Sequence, residues 1–112
     1  MIIAVDFDGT LCGSAWPGIG APRKGVIAYV ISKKKSGARL ILWTNRTGDL
    51  LQNALDWCME QGIEFDAVNE NLPEIVNKFG SDTRKIYADE FIDDKCVHPD
   101  TLDKRFRLRG RV

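Results

Sequence analysis

Two carboxylates stand two residues apart in the stretch AVDFDGTL, which covers residues 4–11. Asp6 and Asp8 come at the end of an apolar run, and Gly9 and Thr10 follow at once. A strand that stops in an Asp-Gly turn explains this pattern, and so does an active site built on paired acids. The polar residues elsewhere in the chain decide between the two interpretations.

Two further apolar runs also end in polar residues. Thr44 and Asn45 follow the run RLILW, and Asp93 and Asp94 follow EFI. In an open α/β sheet, ligands bind beyond the carboxyl ends of the parallel strands, so these groups are expected to meet at one edge. Several carboxylates in one place repel each other unless a cation neutralises them. Oxygen ligands without Cys or His nearby favour a hard ion, and Mg²⁺ is the expected one.

Strand and helix patterns alternate along the chain. β-branched and apolar runs predict strands at 2–7, 39–44, 63–69 and 90–94, with a further strand near 106–108. Apolar residues at helical spacing predict helices at 24–35 and 49–61, and a short helix or irregular segment at 71–80. This order predicts an α/β fold, a three-layer sandwich whose central sheet is mainly parallel, in a single domain spanning residues 1–112.

Composition narrows the function classes. The chain has 112 residues, of which 44% are hydrophobic, and its 16 acidic residues balance its 16 basic ones. A net charge of zero argues against generic binding to nucleic acid or to anionic membranes, although a local patch stays open. The start lacks a signal peptide pattern, and no apolar run is long enough to span a membrane. Three cysteines without a CxxC pair favour a reduced, cytoplasmic protein. A catalytic role for the Cys12 thiol is disfavoured, because no activating base is apparent.

The order Asp6-Phe7-Asp8-Gly9-Thr10, then Thr44-Asn45, a lysine and Ile92-Asp93-Asp94 resembles the haloacid dehalogenase superfamily over residues 2–95. The resemblance implies a Rossmann-like fold and a Mg²⁺-dependent phosphohydrolase acting on a phosphomonoester. Asp6 would be the nucleophile that forms an aspartyl-phosphate, and Asp8 would act as acid and then as base. Asp6, the backbone carbonyl of Asp8, and Asp94 or Asp93 would hold Mg²⁺, with Asp94 favoured as the direct ligand.

The same resemblance implies a phosphate-binding surface and a lysine beside the nucleophile. The phosphate-binding residues would be Gly9, Thr10, Thr44, Asn45 and Arg46, with Gly9 also providing the bend that separates the two acids. Lys85 is the expected lysine, and Lys78 is the alternative. A phosphotransferase or phosphomutase with the same nucleophile, or a non-catalytic binding module that keeps the fold, are the competing interpretations.

The intervals between the motifs are too short to hold a cap domain. The site is therefore expected to be open, which suits a bulky substrate such as a phosphoprotein, a nucleic-acid end or a lipid-linked phosphate. It equally suits a small substrate if a second copy of the chain covers the mouth. The loop after the first motif, with Trp16 and Ile19, is the candidate for a local flap. Packing of Trp16 on the edge of the sheet is favoured, and stacking of Trp16 on a base or sugar is the alternative. The basic tail, residues 104–111, favours an edge strand over a contact with nucleic acid or an acidic partner.

Overall fold

The computed structural model describes the backbone of residues 1–110 and the side chains of residues 1–106. Strands and helices alternate through these residues, as the sequence predicts. The elements in chain order are β1 (Ile2–Asp6), α1 (Lys24–Lys35), β2 (Arg39–Trp43), α2 (Gly48–Glu60), β3 (Ala67–Val68), α3 (Pro73–Phe79), β4 (Glu90–Ile92) and α4 (Pro99–Gly110).

The described residues form one four-stranded sheet in the order β3-β2-β1-β4, in which every neighbouring pair is parallel. The chain moves from β1 outward to β3 and then crosses back to place β4 on the other side of β1. The direction of winding therefore reverses between β1 and β4. In such sheets this switch point opens a crevice at the carboxyl ends of the strands, where ligands bind.

The two faces of the sheet carry separate apolar cores, which confirms the predicted α/β sandwich without a cap. One core joins alternate residues of β1 and β2 to α1 and α2, including Val5, Leu42, Val30 and Ala54. The other core joins the intervening residues to α3 and the segment before β4; its buried members are Ile2, Ala4, Ile41, Leu72, Ile75 and Ile86. Because successive strand residues point to opposite faces, both layers follow from near-continuous apolar strands.

The segment after the first motif folds back on itself instead of extending into solvent. The backbone N–H of Gly13 donates to the carbonyl of Ala21 at 2.9 Å, and that of Arg23 donates to Leu11 at 2.9 Å. Residues 11–23, called the flap below, are thus a short hairpin that carries Trp16 near its tip. Gly20 lies against the backbone of Gly13, where a side chain would not fit.

The predicted strand near residues 106–108 is wrong, because helix α4 covers this segment. Pro99 and Asp100 open the helix with residues suited to a first turn, and acidic residues precede basic ones by four positions. These local preferences outweigh a short alternation of Arg with Phe and Leu. The end of the basic tail, Arg111, and Val112 lie outside the described residues. Within the described part, no helix is both long enough and apolar enough to cross a membrane.

Candidate active site

Three carboxylates meet at the switch point. Asp6, Asp93 and Asp94 each offer one oxygen, and these oxygens lie within 4.8 Å of one another. The strand register explains the meeting: Val5 pairs with Ile92, so the next residues of β1 and of the segment after β4 stand side by side. The structure thus brings together three of the four predicted acids from opposite ends of the chain.

Gly9 and Thr10 hold this cluster in place. The hydroxyl of Thr10, which is buried, donates to Oδ2 of Asp6 at 3.0 Å and accepts from the backbone N–H of Asp94 at 3.1 Å. Gly9 has a φ of +82°, and a Cβ there would lie 2.5 Å from Oδ2 of Asp94. The structure places both residues beside the acids, which they support, and their predicted role in phosphate binding stays a prediction.

The environment of Asp6 disfavours its charge in the absence of a cation. Burial raises the pKa of Asp6 from its ordinary value of 3.8 to about 6, and the nearby Asp93 and Asp94 add to the rise. The hydrogen bond from Thr10 acts in the opposite direction and lowers the pKa. A cation bound between the three acids would remove this penalty.

The chemistry of the donor set fits the expected Mg²⁺. All three groups are carboxylates, and the other side chains that line the space around them supply oxygen or nitrogen and no thiol or imidazole. Mg²⁺ is held in proteins by one or two carboxylates together with waters and phosphate oxygens. Asp6, Asp93 and Asp94 would hold the ion, which would neutralise the acids and the charge of a bound phosphate.

Asp8 has a different partner. Its two carboxylate oxygens accept from Nε and Nη2 of Arg46 at 2.9 and 2.7 Å, in a bidentate ion pair. The Asp8 carboxylate therefore lies outside the cluster of three acids, although it lines the same space. Arg46 is 1% exposed, and the hydrogen bonds that it donates to Asp8 raise its already high pKa.

Arg46 is the residue whose placement departs most from the prediction. Its guanidinium also donates to the carbonyls of Pro17, Gly18 and Leu50. It lies over the rings of Phe7 and Trp16, at 5.1 and 5.0 Å from their centroids. With its N–H groups engaged in this way, Arg46 is a buried anchor for the flap and not part of a phosphate-binding surface.

Thr44 and Asn45 do lie where the sequence predicts them, at the end of β2. The Thr44 hydroxyl accepts from the backbone N–H of Arg46 at 3.1 Å, which leaves its hydrogen free to donate to a phosphate oxygen. Asn69 braces this turn with its amide, which accepts from the Thr44 backbone N–H and donates to the Thr44 carbonyl, both at 2.8 Å.

Neither predicted lysine reaches this space in the structure. Lys85 lines a separate cavity beside Phe79 and Tyr87, because the adjacent Ile86 turns inward to the core and leaves Lys85 facing outward. The ammonium of Lys78 lies over the rings of these same two aromatic residues, at 5.6 and 5.8 Å from the centroids. Among the described lysines, Lys95 lines the space around the acids.

The space at the strand ends consists of two adjoining pockets. The acidic pocket, about 410 Å³, is lined by Asp6, Asp8, Trp16, Thr44, Asn45, Asp93, Asp94 and Lys95. The tryptophan pocket, about 400 Å³, is lined by Asp6, Trp43, Thr44, Asn45, Asn69 and Asp93. The two pockets share four lining residues, Asp6, Thr44, Asn45 and Asp93.

Sequence reasoning missed Lys95, Trp43 and Asn69. The signal for Lys95 was its position directly after the Asp93-Asp94 pair, and the signal for Trp43 was its position directly before Thr44. Cys12, in contrast, is fully buried, and burial raises the pKa of its thiol, which argues against a nucleophilic cysteine.

No protein-family model matches the chain, and no curated protein matches it. A solved structure of a conserved protein from Bacteroides thetaiotaomicron is similar over 100% of this chain and 92% of that one, with 38% sequence identity and a TM-score of 0.75. The chain belongs to the same family as this Bacteroides protein. The likeness extends over the complete α/β fold, including the strand ends that carry the acids.

Proposed function

We propose that the protein is a Mg²⁺-dependent phosphohydrolase of the haloacid dehalogenase type, acting on a phosphomonoester. The observation that carries the proposal is the cluster of Asp6, Asp93 and Asp94, with carboxylate oxygens within 4.8 Å of one another at the switch point of a parallel sheet. Acids so close together are costly without a cation, and Thr10 and Gly9 keep them close. The cost of this arrangement favours a bound cation, and the proposed catalysis is a use for that cation.

In the proposed reaction, an oxygen of Asp6 bonds to phosphorus while the bond from phosphorus to the leaving oxygen breaks. Asp8 gives a proton to that oxygen, which departs as an alcohol. A water molecule then loses a proton to Asp8 and attacks phosphorus, which releases inorganic phosphate and restores Asp6. Bound Mg²⁺ would offset the repulsion between Asp6 and the phosphate dianion.

The pair between Asp8 and Arg46 sets a condition on this chemistry. Both Asp8 oxygens accept from the guanidinium, so Asp8 must release one of these hydrogen bonds when it carries a proton. Arg46 would then retain its bonds to the flap carbonyls and to the other oxygen of Asp8.

The thiols of Cys12, Cys58 and Cys96 are unpaired, which fits a reduced, cytoplasmic setting for this activity.

Two side chains contribute to phosphate binding in the proposal. Thr44 would donate its hydroxyl hydrogen to a phosphate oxygen. Lys95 would replace Lys85 as the cation beside the nucleophile, because Lys95 lines the acidic pocket. The openness of the pockets to water favours hydrolysis over transfer to another acceptor.

Release of inorganic phosphate from 4-nitrophenyl phosphate tests the proposal. The wild-type protein should release phosphate with Mg²⁺, lose the activity in EDTA, and regain it when Mg²⁺ is restored. Asp6→Asn keeps the shape of the side chain and removes its nucleophilic charge, so this variant should lose at least about a thousandfold in kcat. Asp56→Asn, on the exposed side of α2, is the matched control. Activity that survives both EDTA and Asp6→Asn would refute the proposal.

A further inference from the structure

The division of charge between the two pockets bears on the substrate. Three charged residues, Asp8, Asp94 and Lys95, line the acidic pocket alone, together with Trp16 of the flap. The tryptophan pocket adds only Trp43 and Asn69 to the shared residues. Under the proposed function, the phosphate and the cation occupy the acidic pocket. The adjoining tryptophan pocket is then the space available to the remainder of the substrate.

Trp43 lies directly beside the proposed nucleophile. Trp43 and Asp6 are paired in the register of β2 and β1, and paired residues of neighbouring strands point to the same face of the sheet. Neighbouring strands lie about 4.8 Å apart, so the indole begins one strand spacing from Asp6. A group attached to a phosphate on Asp6 is within reach of the ring.

Trp43 does not belong to either apolar core. Ile41, two residues earlier on the same face, is fully buried, whereas Trp43 is 37% exposed. Burial of a tryptophan contributes strongly to stability, so an indole left open in a pocket forgoes that gain. Its flat surface and its N–H donor are both suited to a ligand.

Two amide side chains, Asn45 and Asn69, also line the tryptophan pocket. The amide of Asn69 is committed to the Thr44 backbone, which fixes the wall next to Trp43. Asn45 is exposed, and its amide makes no hydrogen bond to the residues that the structure describes. An amide donates and accepts at once, as recognition of a heteroaromatic edge requires.

We propose that the tryptophan pocket binds the base of a nucleotide, stacked on Trp43 and contacted at its edge by Asn45, so that the substrate is a nucleoside phosphate. This inference rests on the proposed function. Stacking of a base on an aromatic side chain is tolerant of sequence and needs only a flat ring of this kind. The same chemistry is offered by a free nucleotide and by the phosphorylated end of an oligonucleotide, and the zero net charge of the chain favours the free nucleotide.

The test compares adenosine 5′-monophosphate with glycerol phosphate, which lacks a ring, using Mg²⁺ and steady-state kinetics. The wild-type protein should prefer the nucleotide in kcat/KM. Trp43→Leu should lower that preference roughly tenfold, chiefly through KM for the nucleotide, and Trp43→Phe should restore most of it. Tyr87→Leu, which removes an exposed aromatic ring outside both pockets, should leave the preference unchanged.

A binding measurement separates failure of this inference from failure of the proposed function. Adenosine 5′-monophosphate should quench tryptophan fluorescence in the wild-type protein and in Asp6→Asn, and Trp43→Leu should lose that quenching. If glycerol phosphate is hydrolysed as well as the nucleotide and Trp43→Leu changes neither preference nor quenching, the inference is overturned and the phosphohydrolase stands. If neither substrate is hydrolysed, the proposed function fails, and the fluorescence quenching alone tests whether the tryptophan pocket binds a base. A 5′-phosphorylated oligonucleotide with a higher kcat/KM than the mononucleotide would assign the base to a nucleic-acid end.

Discussion

Asp6 is the residue on which the proposed chemistry depends, and its surroundings make its charge sensitive to pH. Its carboxylate is partly buried next to two other acids, with Thr10 as the opposing hydrogen-bond donor. The proposed nucleophile and the proposed cation ligand are the same group, and both roles would require its ionised form. Without a bound cation, Asp6 is mostly protonated below about pH 6, whereas an isolated aspartate would already be mostly charged at pH 5.

This raised pKa predicts a pH dependence of Mg²⁺ binding. Only ionised Asp6 binds the cation well, and the ionised fraction with a pKa of about 6 changes roughly tenfold between pH 5 and pH 7. The apparent dissociation constant for Mg²⁺, measured by calorimetry, should therefore be about tenfold larger at pH 5. Asp6→Asn should lose the part of this dependence that Asp6 contributes. Equal Mg²⁺ affinity at the two pH values would contradict the assigned pKa.

Without a cation, the contribution of Asp6 to the free energy of unfolding should fall as the pH rises, whereas the affinity for Mg²⁺ should increase. Below pH 3.8 Asp6 is mostly protonated in both the folded and the unfolded chain, so it contributes no pH dependence there. As the pH rises from 3.8 to about 6, the unfolded chain loses this proton first, and the contribution of Asp6 to the free energy of unfolding falls. Addition of Mg²⁺ should therefore raise the melting temperature more at pH 7 than at pH 5.

Gly9 lies just after β1 and against Asp94 of the acid cluster. Its φ of +82° is strained for other residues, and a Cβ would meet Asp94. Gly9→Ala should therefore destabilise the protein by at least about 1 kcal/mol and weaken Mg²⁺ binding, both measurable by thermal melts with and without the ion. Gly25→Ala is the control, because a Cβ at that position in α1 meets nothing within 4 Å. Gly25→Ala should be neutral or stabilising by up to about 1 kcal/mol.

At the scale of elements, Arg46 ties three pieces of chain together. Its guanidinium joins Asp8 after β1 to the carbonyls of the flap and to the first turn of α2. Leu11 and Cys12 bury the base of the flap in the core, whereas the exposed Trp16 near its tip lies over the same guanidinium. The tip of the flap is therefore expected to depend on Arg46 for its position over the acidic pocket.

Arg46→Met should destabilise the protein by roughly 3 kcal/mol, because it leaves the Asp8 carboxylate and several carbonyls without their donor. Urea unfolding followed by circular dichroism measures the loss, and limited proteolysis should show faster cleavage within residues 14–20. Arg39→Met removes an exposed ion pair to Glu74 and should cost less than about 1 kcal/mol. Equal costs for the two variants would show that the buried pair is not an anchor.

At the scale of the whole molecule, the fold divides into a compact sandwich and a peripheral helix. The buried side chains of the described residues come from the strands, α1 to α3 and the segments between them, and none comes from α4. Leu102 and Phe106 of α4 are 42% and 59% exposed. The site likewise draws no residue from α4.

A chain that ends after Pro99 should therefore keep its fold and its activity. Its melting temperature is expected to change by less than about 4 °C, the shift that about 1 kcal/mol produces in a domain of this size. Phosphate release should stay within twofold of the full chain. Unfolding, or loss of most activity, would show that α4 packs against the sandwich in a way that stability requires.

The sequence predicted the sandwich well because its strands are apolar runs bounded by turn residues. Helix α1 begins and ends where the pattern predicts, and β1 and β2 are within one residue of their predicted bounds. The third strand is shorter than predicted, and the tail is helical, because neither segment carries a long pattern. Convergence of Asp6, Asp93 and Asp94 was predictable from topology alone, since carboxyl ends of parallel strands share an edge.

The parts of the site that could not be predicted depend on loops. The burial of Arg46 follows from the path of the flap, which no periodicity encodes. Lys95 reaches the acidic pocket because the chain turns directly after Asp94, while Lys85 faces away because Ile86 packs inward. Such choices are made by tertiary packing, so a single sequence leaves them open.

The covalent intermediate is the central claim, and Asp8→Asn with 4-nitrophenyl phosphate tests it most directly. This leaving group departs without a proton, so the variant should still form the aspartyl-phosphate, but it lacks the base that activates water. The account predicts a burst of nitrophenol equal to the amount of protein, and an acid-quenched peptide that carries a phosphoryl group on Asp6. Steady turnover by folded Asp8→Asn at the wild-type rate, with no phosphoryl group on the protein, would contradict it.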